Sequence, residues 1–218
     1  SLTNLLSNTG VVATDTAGVG TARSYIAACE YGGDKGIFGY GYTGSVSSLS
    51  NLVSNVGVVA TDTTGVGTAR RHPSACEYGD DKAIFGYGSN GGKFSVTNLV
   101  TNVGVIGTDV TGVGTARGHL AACQYDYDKG IFGYGDAGGG VSMSNLISNE
   151  GVVATDVTGV GTARRLLAAC EYDGDKGIFG YGAGYVSMTN LVNSSGVIAT
   201  DTTGVGTGRE GPGACSFN

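Results

Sequence analysis

The sequence predicts an all-β fold, a five-bladed β-propeller with four-stranded blades, and three observations carry that expectation. The chain repeats itself: Arg23, Arg70, Arg117, Arg164 and Arg209 are spaced by 47, 47, 47 and 45 residues, and Cys29, Cys76, Cys123, Cys170 and Cys215 keep the same intervals. Self-similarity at such a period marks a repeat architecture. Within each period four short segments alternate with turn signals and leave no room for a helix. Each segment carries apolar residues on both faces, so a sheet made of them has to be sandwiched between two others. Sheets that each pack on a neighbour before and behind describe a radial array.

In the first period the segments fall around 3–8 (TNLLSN), 11–16 (VVATDT), 26–31 (IAACEY) and 35–40 (KGIFGY). Asn8-Thr9-Gly10, Gly18-Val19-Gly20, Gly32-Gly33-Asp34 and the loop after Gly41 separate them. The pairs Leu5 and Leu6, Val11 and Val12, and Ile37 and Phe38 must point to opposite sides of a pleat. The stretch DKGIFGYG at 34–41 returns at 81–88, 128–135 and 175–182. The one short interval arises after Gly182, where 183–186 stand in place of six-residue loops such as 42–47. The repeats run over about 1–47, 48–94, 95–141, 142–186 and a partial 187–218, and together form a single domain.

Composition narrows the function. Glycine supplies 42 residues and proline 2, so the chain turns often, and a net charge of −6 provides no basic stripe for phosphates. Nucleic acid is excluded as a partner, and no apolar run approaches the ~20 residues that cross a bilayer. The five cysteines occupy one repeat position, too far apart for a disulfide. They read as buried thiols, and a five-thiol metal site is not expected, since zinc takes four ligands. The sequence implies no cofactor and no metal.

Arg23-x-x-Ile26-Ala27-Ala28-x-x-Tyr31, a charged turn, then Ile37-Phe38-Gly39-Tyr40-Gly41 resembles the kelch motif, with Gly-Tyr-Gly in place of the double glycine and without the family's later aromatic pair. The resemblance implies that IAACEY is the innermost strand of a blade, KGIFGY the second, TNLVSN the third and VVATDT the outer one. The near-identical copies also resemble tandem propeller arrays of phage tail and microbial surface proteins. On that assignment a fifth blade joins the third and outer strands at the N-terminus to an inner strand over 215–218, and it lacks its DKGIFGYG strand. Three outcomes are open there: the chain is cut from a longer array, the blade closes imperfectly, or an open edge is completed by a neighbour.

Thr14-Asp15 and Gly18-Val19-Gly20-Thr21-x-Arg23 mark the kept positions. Asp15, Asp62, Asp109, Asp156 and Asp201, with Arg23, Arg70, Arg117, Arg164 and Arg209, read as structural struts, because buried charges persist only when paired. Neither a Ser-His-Asp set nor HExxH nor CxxC is present, and two histidines are too few for the copper set of kelch-like oxidases. The chain reads as no enzyme.

The copies differ most after each arginine and after each Gly-Tyr-Gly, and the turn that holds Gly33, Asp80, Tyr127 and Gly174 drifts somewhat too. In an up-and-down blade both loops emerge on one face, so Tyr25, Tyr42, Arg71, His72, Asn90, Lys93, Phe94, His119, Asp136, Arg165 and Tyr185 form the expected ligand-binding face. The expected function is a lectin-like binding or scaffold propeller for a protein or carbohydrate surface, in a viral tail or adhesive assembly at a virion or cell surface. Unpaired cysteines also suit the cytoplasm. The alternative is a structural subunit that forms a homo-oligomer by strand addition at its incomplete blade.

Overall fold

The computed structural model describes residues 1–216, so Phe217 and Asn218 of the expected last inner strand lie outside the described residues. Among the described residues every regular element is a strand. The chain opens on a hairpin of β1 (Leu2–Thr3) and β2 (Thr16–Ala17). Four antiparallel three-stranded sheets follow, numbered as units one to four. Unit one holds β3 (Ala27–Tyr31), β4 (Lys35–Gly39) and β5 (Ser50–Val53), and unit two β6 (Ser74–Tyr78), β7 (Lys82–Gly86) and β8 (Thr97–Val100). Unit three holds β9 (Ala121–Tyr125), β10 (Lys129–Gly133) and β11 (Ser144–Ile147), and unit four β12 (Ala168–Tyr172), β13 (Lys176–Gly180) and β14 (Thr189–Val192).

The Lys-Gly/Ala-Ile-Phe-Gly strand is the middle one in every unit. In unit one it pairs from Ala27↔Gly39 to Tyr31↔Lys35 on one side and from Gly36↔Val53 to Gly39↔Ser50 on the other. The fourth segment forms no continuous strand; it meets the third at two isolated bridges, Ser50↔Thr63 and Val53↔Val59 in unit one. These bridges are three residues apart on β5 and four apart on the outer segment, which is a β-bulge. The Asn51 side chain fills the interruption, donating from Nδ2 to Ala60 O at 3.1 Å and to Asp62 Oδ1 at 2.9 Å. The expected four-stranded sheet is thus three strands and a bridged outer segment.

Successive units pack first strand against first strand, β3 on β6, β6 on β9 and β9 on β12. The middle strands seal the joints. Phe85, Phe132 and Phe179 are fully buried, each laid over a glycine of the preceding unit and edge-to-face on its tyrosine, with centroids 5.3, 5.1 and 5.3 Å from Tyr40, Tyr87 and Tyr134. A Cβ added to Gly39, Gly86 or Gly133 would stand 2.7, 2.5 or 2.6 Å from that phenylalanine ring, so glycine is required by close approach. Such aromatic pairs contribute about 0.5–1.5 kcal/mol beyond their buried area.

Five inner segments, including 214–216, line one cavity of about 530 Å³. Its wall carries all five cysteines, which are free. Only Cys76 and Cys123 are buried; Cys29 and Cys170 are half-buried and Cys215 is exposed, against the expectation of five buried thiols. The three exceptions flank the place where a fifth middle strand has no copy in the sequence. Burial pushes the Cys76 and Cys123 thiols well above their usual range, which leaves them protonated and inert.

Candidate functional site

Contacts between loops define two faces. On one, the turns between first and middle strands are linked from unit to unit, with Gly32 N donating to Asp81 O and Gly79 N to Asp128 O, both at 2.7 Å. The turns leading to the outer segments join them, Asn102 Nδ2 reaching Asp81 Oδ2 at 2.9 Å. On the other face the two variable loops of a unit are bridged directly, as Ser24↔Tyr42, Arg71↔Ser89 and Gly118↔Asp136.

The second variable residue after each arginine is left-handed in every copy: φ is 56° at Tyr25, 54° at His72, 55° at His119, 56° at Leu166 and 65° at Gly211. Each non-glycine residue there costs on the order of 1 kcal/mol. A chain of backbone bonds holds them, His72 N to Tyr25 O at 3.0 Å, His119 N to His72 O at 3.3 Å, Leu166 N to His119 O at 3.0 Å and Gly211 N to Leu166 O at 2.8 Å. This run also stacks the side chains, with the Tyr25 and His72 centroids 4.1 Å apart and His72 and His119 3.7 Å apart. Burial, then the charges of His119 and Arg71, brings His72 down to about 4, and burial lowers His119 too. Both imidazoles are therefore neutral near pH 7.

Beside the stack, the Arg71 guanidinium lies 5.3 Å from the Tyr42 ring centroid. Asp136 accepts from Lys93 Nζ at 2.5 Å and from Arg165 at 3.1 Å, crossing from unit two to unit four. The bond from Lys93, with another from Gly138 N, holds the Asp136 carboxyl at about 2. Tyr185 is exposed at a left-handed loop position, and Asn90 is exposed in a tight loop closed by its own N–H on Gly92 O at 3.0 Å. Phe94 is half-buried at the base of the same loop, with its N–H on Gly88 O at 2.9 Å. The surface thus offers aromatic faces, neutral imidazoles and a charge cluster on a braced backbone.

The kept residues lie beneath this face as joints. Arg70 lies over the Tyr40 ring of unit one at 4.0 Å and donates to Asn98 of unit two at 2.7 Å. Asp109 of unit two accepts from Thr68 Oγ1 at 2.6 Å. Arg117 and Arg164 repeat the pattern on Tyr87 and Asn145 and on Tyr134 and Asn190, with Asp156 and Asp201 3.7 and 3.8 Å away. Arg23 donates to Asn51 at 2.5 Å and pairs with Asp62 at 3.4 Å. Hydrogen bonds from Thr21 and Asn51 hold the Asp62 carboxyl below its usual range. Asp15 is bound by Asn4 at 2.8 Å, and Arg209 lies 4.3 Å from the Tyr181 centroid.

The sequence reading missed the asparagine of each joint. Asn4, Asn51, Asn98, Asn145 and Asn190 are present in all five copies, a signal as strong as that of the aspartates. Among the described residues no cluster of three or more metal-ligating side chains forms, and no helix is long and apolar enough to cross a membrane. No family model and no curated protein matches this chain.

Proposed function

We propose that the chain is a non-enzymatic, kelch-like five-bladed propeller whose variable loops take a protein or carbohydrate surface as partner, in a viral tail or other adhesive assembly. One observation carries the reading. Copies that keep their joints differ most in two loops per unit, and backbone bonds knit those loops into one surface, while the turns between first and middle strands change at fewer positions. Five segments around one cavity and phenylalanine joints between units support the radial architecture. Tyr25, Tyr42 and Tyr185 suit the C–H faces of sugars, while Arg71 and the Lys93–Asp136–Arg165 cluster suit hydroxyls and carboxylates. Repetition of shallow sites favours multivalent contact, in which weak binding adds by avidity.

A printed array of bacterial and animal surface glycans tests the reading. The parent chain is expected to retain at least one glycan class, and the triple change Tyr25→Ala, Tyr42→Ala and Tyr185→Ala to lower the signal at least about 10-fold, or about 1.4 kcal/mol. Retention of the same glycans by the triple variant at parental strength contradicts it.

A further inference from the structure

We propose that the loop face around His119 is a binding site for an acidic oligosaccharide, whose carboxylates are held by Arg71 and Arg165 beside the stacked rings of Tyr25, His72 and His119. The inference names the ligand class for the loop-face reading and rests on that reading.

The first observation is where the charges lie. The five kept arginines balance the five kept aspartates at the joints, so the net charge of −6 is set by the residues that remain. The face of the turns between first and middle strands, with the turns to the outer segments and the cavity wall, carries eleven carboxylates against four lysines. The loop face carries Arg71, Lys93 and Arg165 against Asp136 and Glu210. An acidic chain thus keeps its only excess of positive charge on the face where its copies vary most. A field of that shape draws an anion to the loops and repels it from the opposite end.

The second observation is how those charges are spent. Asp136 satisfies two cations at once, Lys93 Nζ at 2.5 Å and Arg165 Nη1 at 3.1 Å. Arg165 commits only Nη1 to that bond, and its side chain remains 46% exposed, so further guanidinium donors face solvent. Arg71 pairs with no carboxylate among the described residues and rests against the Tyr42 ring. The charges of Asp136, Arg165, Lys93 and Arg71 all act on the His119 imidazole, which places them about one ring. That ring is stacked on His72, and His72 on Tyr25. The site therefore joins an aromatic platform to two arginines with donors to spare, and a guanidinium matches a carboxylate in a planar, two-pronged fit.

The backbone favours a sugar over an acidic peptide. Arg71 and Ser89 exchange both of their backbone bonds, as do Gly118 and Asp136, and the N–H groups of His72 and His119 are taken by the ladder between units. A peptide finds no open edge here on which to add as a strand. Recognition falls to ring faces and cations, which suit the C–H face and the carboxylate of an acidic sugar. The three cations belong to units two and four alone, so the chain presents one such site.

Titration calorimetry of the whole chain tests this with tetragalacturonate and sialyllactose, each against its neutral counterpart, the methyl-esterified tetramer and lactose. Saturable binding of at least one acidic sugar, one per chain, is expected, and it is at least about 10-fold weaker for the neutral partner. Arg71→Gln and Arg165→Gln each weaken it by a similar factor, with thermal melting read alongside to show that the variants fold. Lys82→Gln on the opposite face leaves it unchanged. Added salt weakens it, because exposed charges are screened beyond about 10 Å at 0.1 M. No saturable binding of either acidic sugar at millimolar concentration, equal binding of a neutral counterpart, or equal binding of hexaglutamate overturns the proposal. A sugar that binds at parental strength to both arginine variants but is lost from the triple tyrosine variant also overturns it, and leaves the loop-face reading standing.

Discussion

Glu77 shows how a single residue reports the geometry of the cavity. It shares the wall with Glu30, Gln124, Glu171 and Ser216, and burial, followed by the charges of Glu30 and Glu171, pushes its carboxyl up to about 7. A folded chain that holds this proton more tightly than the unfolded one is most stable below the ordinary value of 4.5 and loses that contribution as pH rises towards 7. Glu77→Gln, which copies Gln124, is expected to raise the melting temperature at pH 8 and to leave it nearly unchanged at pH 4. Melting curves at the two pH values check this, and an equal shift at both contradicts it. The repeat register made the cysteines and acids legible as one family of positions. It did not reveal that three of the five cysteines are less than buried, because that depends on which neighbour each unit has.

At the scale of the element, the middle strand decides how units join. Gly86→Ala places a methyl 2.5 Å from the Phe132 ring, and overpacking of that kind costs about 1–3 kcal/mol. Gly180→Ala, with 3.4 Å to its nearest described atom, is expected to cost less than about 1 kcal/mol. Urea unfolding of the two variants measures the difference; equal costs would mean that the fourth joint is packed like the other three. Three of four segments per period were legible as strands from apolar pairs and turn residues. The outer one was not, because its ladder is broken by a side chain: Asn51 Nδ2 claims Ala60 O, and a period-two pattern carries no sign of that bond. The same asparagine completes the arginine joint, so the bulge and the joint are one device.

For the molecule as a whole, the variable positions were legible because five copies within one chain serve as their own comparison. Their joining into a continuous surface was not, since it rests on left-handed residues and on bonds such as Leu166 N to His119 O, between units 47 residues apart. The loop face requires the units to surround a cavity, which would bring the N-terminal hairpin beside unit four. Dipolar EPR between nitroxides placed by a non-cysteine label at the exposed turn positions Thr9, Val56 and Ser195 measures this directly. The account predicts a Thr9–Ser195 distance close to the Thr9–Val56 distance of neighbouring units; a Thr9–Ser195 distance several times longer, as in a linear row, would contradict it.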